Sequence, residues 1–139
     1  MRSVGCSMLR EEDGGTMYLQ RLQLGNFRSF DSTRLELQKD LTVFVGENNG
    51  GKSNTIGAIR LLTAPLSGRR ELYCEPTDIR FQCGACHFEL EAHFSGLSAG
   101  QQGRLLSAAT DASMTSACFG LRYDGSQVGA MRTSCSWRS

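Results

Sequence analysis

A chain of 139 residues with 40% hydrophobic side chains and a formal net charge of +1 is long enough to bury one domain core. No apolar run approaches the roughly 18–20 residues of a membrane span, and near-neutral charge gives by itself no electrostatic argument for nucleic acid. Six cysteines without a secretory segment do not describe a disulfide framework, so a soluble cytoplasmic protein with reduced thiols and no membrane partner is expected.

Residues 1–16 lack hydrophobic periodicity and contain Glu11-Glu12-Asp13-Gly14-Gly15, which reads as a disordered leader or an upstream start. Residues 18–24 alternate as a half-buried strand, Asn26-Phe27-Arg28-Ser29-Phe30 reads as a turn, and residues 33–37 alternate again. The β-branched run 41–45 predicts a short buried strand and residues 54–63 a helix, with Gly57 inside it at a cost of up to about 1 kcal/mol relative to alanine. Pro65 ends that helix, and residues 66–77 read as an irregular loop. Residues 87–94 predict a strand with Phe88, Leu90, Ala92 and Phe94 on one face and His87, Glu89, Glu91 and His93 on a wet one. A helix over 99–110 would carry Leu105, Leu106 and Ala109 inward, a further strand is expected over 117–123, and residues 124–139 read as a frayed tail.

Between the run 41–45 and the helix stands Gly46-Glu47-Asn48-Asn49-Gly50-Gly51-Lys52-Ser53, which fits G-x-x-x-x-G-K-[ST] at every fixed position. The order strand, glycine loop, helix is what a phosphate cradle requires. Glycines let successive backbone N–H groups point at one phosphate, and the helix N-terminus adds about half a positive charge. Gly46, Asn48, Asn49, Gly50, Gly51, Lys52, Ser53 and Asn54 are the expected nucleotide contacts. Lys52 would hold the β- and γ-phosphates of ATP, and the Ser53 hydroxyl would bind Mg²⁺. The bland alternative is a glycine turn that links a strand to a helix.

The segment from Met17 to Thr63 resembles the N-terminal part of the RecF, SMC and OLD ATPases, whose heads are of the ABC class. Asn26-Phe27-Arg28-Ser29-Phe30 and the stretch from Gly46 to Asn54 carry the likeness. Gly-Glu-Asn-Asn at 46–49 and Pro65-Leu66-Ser67-Gly68-Arg69-Arg70 look closest to the OLD-like members, often described as ATP-dependent endonucleases of the AAA type. The resemblance implies an α/β P-loop NTPase fold of the ABC-ATPase type over residues 17–123, incomplete, with a mixed sheet and a peripheral antiparallel element. It implies Mg-ATP binding linked to DNA repair, DNA cleavage or anti-phage defence, with DNA, a second copy or further ATPase and nuclease domains as partners. The basic residue of the turn, Arg28, would lie near the nucleotide, or serve as a solvated turn residue.

Three further constellations each admit two readings. Leu97-Ser98-Ala99-Gly100-Gln101-Gln102 resembles the ABC signature L-S-G-G-Q, or is a helix start with Ser98 and Gln101 as a capping box. Asp124 is a Walker B aspartate or, with Gly125, a turn. Cys83-Gly84-Ala85-Cys86-His87 matches the haem pattern C-x-x-C-H, or is half of a zinc site completed by Cys74, His87 or His93, or is a loop with reduced thiols. No residue receives a catalytic role from the sequence. An ATPase is expected by resemblance alone, and the lack of a convincing Walker B segment favours a nucleotide-binding or interaction protein that turns ATP over slowly or not at all.

Overall fold

Period-two alternation along the strands lays down one dry and one wet sheet face, and a helix packs on the dry side. The computed structural model describes residues 2–5 (backbone only), 16–47, 51–64, 74–106 and 109–126. In chain order these form β1 (Arg2–Gly5), β2 (Tyr18–Phe27), β3 (Phe30–Glu36), β4 (Thr42–Val45), α1 (Lys52–Thr63), a 3-10 turn (Pro76–Asp78), β5 (His87–Ser95), α2 (Ala99–Arg104) and β6 (Ser116–Asp124). Strands β3-β2-β5-β6 make one sheet in that order, and β1 with β4 make a second. Every pairing among the described strands is antiparallel.

The dry face is a continuous lattice of cross-strand pairs. Leu22 stands between Leu35 and Ala92, Leu90 between Leu24 and Leu121, and Ala92 beside Phe119. Aromatic rings lock the ends: Phe88 meets Phe27 edge-on at 5.1 Å and stacks on Tyr123 at 5.4 Å, while Phe94 meets Phe119 at 5.6 Å. Ala58 and Leu62 of α1 complete the same core. Burying a side chain such as Leu22, which has no exposed surface, contributes about 1.5–3 kcal/mol.

Strict alternation from Leu22 and Leu24 would put residue 27 on the wet face. A positive φ of 52° at Asn26 changes that parity, and Phe27 rejoins the core with none of its surface exposed. The turn itself is therefore shorter than the expected 26–30. Phe27 and Phe30 pair across it, leaving only Arg28 and Ser29 as connection.

Three expectations change. The run 41–45 is not a buried strand: Val43 and Val45 are nearly half exposed, because among the described residues β4 pairs with β1 alone and only its Phe44 packs against the core. Within the expected leader, Arg2–Gly5 is a strand, pairing with β4 from Arg2↔Val45 to Gly5↔Thr42 and so satisfying backbone groups of that edge. The helix expected over 99–110 ends at Arg104, with Leu106 exposed and Ala109 bridged to Ala117. Gly100 and Gly103 weaken this helix, and Asp111 organises the chain beyond it.

Asp111 accepts hydrogen bonds from the hydroxyls of Ser113 and Thr115, the latter at 2.7 Å, and from the Ser116 N–H at 2.9 Å. These donors hold its carboxyl at about 2, below the usual carboxylate range. A depressed carboxylate stabilises the fold above its unfolded value, and that contribution is lost as pH falls toward the folded one. Asp111→Asn should therefore melt below the parent near neutral pH, and the gap should close between about pH 4 and pH 2 in calorimetric scans.

Candidate functional site

The glycine loop closes onto the first turn of α1, and its geometry starts from Gly51. That residue is buried with φ 87°, the left-handed region that side chains rarely adopt. A Cβ there would lie 2.7 Å from Cζ of Phe30 and 3.2 Å from the Ser29 hydroxyl, so the loop rests directly on the β2–β3 turn. The Thr55 N–H and hydroxyl both donate to the Gly51 carbonyl, at 2.9 and 3.0 Å, and fix the start of the helix.

Lys52 is the first helical residue, and its ammonium turns back into the loop. Nζ donates to the carbonyls of Gly46 and Glu47, the second at 2.6 Å. The Lys52 ammonium thus ties the carbonyls of Gly46 and Glu47 to the head of α1, where the helix N-terminus adds a second positive contribution. Ser53 is exposed in the first turn, where its hydroxyl is available to a cation. Asn54 instead points its amide at the turn, Nδ2 donating to Ser29 Oγ at 2.9 Å. Asn48, Asn49 and Gly50 lie outside the described residues.

Arg28 also has a positive φ, 49°, and the segment 78–80 holds it there. The Arg28 N–H donates to the Asp78 carbonyl at 2.7 Å, and the Arg80 N–H to the Asn26 carbonyl at 2.7 Å. The Arg28 guanidinium bonds the buried Asp78 carboxylate at 2.8 Å and lies 5.0 Å from the Phe27 ring centroid. Gly57 accounts for the path of this side chain, since a Cβ there would come within 2.8 Å of Arg28 Nη1. The sequence alone does not single out Ser29, Phe30 or Asp78 for the site; the first two reach it by packing on Gly51 and Asn54, and Asp78 by holding Arg28.

The competing constellations separate clearly. At Ser98 both the N–H and the hydroxyl donate to Gln101 Oε1, at 2.9 and 3.0 Å, so the pair caps α2. Asp124 is exposed at the end of β6 and accepts from the Ser126 N–H and hydroxyl, which lower its pKa and make a turn. The Cys83 thiol donates to the Ala85 carbonyl at 3.7 Å, and Cys86 is exposed. Among the described residues, the ligand-type side chains close enough to share one ion are instead Glu91, His93 and Cys118.

Residues 17–91 match the family described as AAA ATPase domain. The DNA replication and repair protein RecF of Streptococcus suis (strain 05ZYH33) is 42% identical over 53 residues, 38% of this chain and 15% of the relative. A structure of the recombination mediator protein RecF-ATP superposes with a TM-score of 0.56 at 23% identity, covering 79% of this chain and 25% of the other. A structure from work on ATP-driven dimerization and DNA-stimulated activation of SMC ATPases gives 0.57 at 21% identity, covering 78% and 64%. The chain spans 14–20% of the length of the RecF relatives it matches. The Gly51 contact gives a direct check on the site's construction. Gly51→Ala should destabilise the protein by more than about 1 kcal/mol in urea unfolding. Gly25→Ala, whose Cβ would meet Glu89 O at an ordinary 3.7 Å, should cost less.

Proposed function

The chain belongs to the AAA ATPase domain family and has the α/β fold of the N-terminal lobe of ABC-class, RecF- and SMC-like P-loop ATPases, and from that premise we propose that it binds Mg-ATP through the loop at 46–53. The observation that carries this reading is the inward turn of Lys52 onto the Gly46 and Glu47 carbonyls at the head of α1. Phosphate oxygens entering the loop would take over the ammonium from those carbonyls and accept from backbone N–H groups. Ser53 would offer its hydroxyl to Mg²⁺, which prefers oxygen ligands and retains water. Gly46, Asn48, Asn49, Gly50 and Gly51 would shape the cradle, whereas Asn54 supports it through Ser29.

Binding is the activity this lobe supports best; turnover is a separate matter. Phosphoryl transfer to water needs a group that orients the nucleophile and further positive charge at the γ-phosphate. Asp124 spends its carboxylate on Ser126, and Ser98 and Gln101 on each other. The reading is therefore a nucleotide-binding lobe that relies on other parts for hydrolysis. A second copy of the chain, DNA, or the remaining ATPase and nuclease domains of an OLD- or RecF-like protein are the partners proposed, in DNA repair, DNA cleavage or anti-phage defence in the cytoplasm.

In Lys52→Ala, loss of a charge-assisted phosphate contact worth about 1.5–3 kcal/mol should weaken ATP binding at least about tenfold in fluorescent-nucleotide titrations. Identical curves for the folded variant would overturn the assignment. Steady-state phosphate release by the chain alone should stay at background with and without DNA; turnover near the roughly 10 s⁻¹ of a median enzyme, abolished by Lys52→Ala, would overturn the division of labour.

A further inference from the structure

The wet face of the main sheet gathers a ligand set that neither the loop nor the C-x-x-C-H segment uses. His93 of β5 and Cys118 of β6 are direct cross-strand partners, and Glu91 lies two residues before His93 on the same face. Glu91 Oε1 stands 2.5 Å from His93 Nε2, Cys118 Sγ stands 3.7 Å from that nitrogen, and the three ligand atoms all lie within 4.8 Å of one another. Cys118 is buried, while His93 and Glu91 are partly covered, so the ligands are held by the sheet rather than by a mobile loop. We propose that Cys118, His93 and Glu91 bind one zinc-class divalent cation on the face of the sheet away from α1.

The donor set fits that ion. Zinc takes thiolate sulfur at about 2.3 Å, imidazole nitrogen at about 2.0–2.1 Å and carboxylate oxygen at about 2.0–2.2 Å, so a tetrahedral site places its ligand atoms about 3.3–3.6 Å apart. The sulfur-to-nitrogen separation already approaches that value. The Glu91 oxygen needs to withdraw by less than about 1 Å, a small rotation of an exposed-end side chain. Hard cations such as Mg²⁺ and Ca²⁺ prefer all-oxygen sites and would not select this set.

A fourth position is open beside the three. Gly120 stands opposite Glu91 across the β5–β6 ladder and contributes no side chain. A groove of about 220 Å³ opens there, lined by Gln23, Glu91, Cys118 and Gly120 among others. The Gln23 amide reaches both Glu91 Oε1, at 3.3 Å, and His93 Nε2, at 3.4 Å. Turned about its last torsion it offers Oε1 instead, so the fourth ligand is the Gln23 carbonyl or a water in the groove.

The test adds Co²⁺ to the reduced full chain as a spectroscopic stand-in for zinc. One equivalent should bind, with visible bands and a near-ultraviolet thiolate-to-metal transition that Zn²⁺ abolishes. Affinity should fall at least about tenfold in Cys118→Ser and in Glu91→Gln, and stay unchanged in the Cys83→Ser, Cys86→Ser double variant. In parallel, Zn²⁺ should raise the melting temperature of the parent and not of Glu91→Gln, a conservative change that leaves the apolar face intact. Absence of the thiolate band, its persistence in Cys118→Ser, or its loss in the double cysteine variant would each overturn the site.

Discussion

The left-handed backbone at Asn26 and Arg28 is the constraint on which the rest depends. Such residues outside glycine cost of order 1–3 kcal/mol each and persist only where their surroundings determine them. Here the segment 78–80 supplies two short backbone hydrogen bonds and a buried carboxylate for Arg28. Asp78 in turn accepts the Glu75 N–H at 3.0 Å, so the 3-10 turn is part of the same clip. What this arrangement secures is direction: Phe27 returns to the core, Phe30 faces the glycine loop, and Ser29 meets Asn54.

The glycine that opens α1 thereby rests on the turn of the sheet. Gly51 has no side chain because Phe30 occupies the space, and Gly57 has none because Arg28 crosses the helix. Gly57 thus gives up helix propensity where the Arg28 guanidinium, paired with Asp78, passes over α1.

The sheet has a second role through its other face. Because strand side chains alternate, any sheet that packs one face on a helix presents a row of side chains on the opposite face. Along β5 that row carries Glu89, Glu91 and His93, and the neighbouring strands bring Gln23, Cys118 and Arg122 to it. Glu89 and Arg122 neutralise each other at 2.6 Å, whereas Glu91, His93 and Cys118 form a cluster of mixed ligand character.

Local pattern alone determined much of this protein. Alternation located β2, β3 and β5, and the order of a short strand, a glycine loop and Lys52-Ser53 located the start of α1, because both signals are short-range consequences of backbone geometry. The capping of α2 by Ser98 and Gln101 and the turn at Asp124 were legible for the same reason. What only the tertiary structure decided lies between distant segments. The exposure of β4 among the described residues depends on which strands flank it, the strand at Arg2–Gly5 on its pairing with the distant Thr42–Val45, and the role of Gly57 on a guanidinium from another element. The meeting of Cys118 with His93 follows from strand register, which pairs residues 25 positions apart and is set by the packing of the whole dry face, a quantity no local window contains.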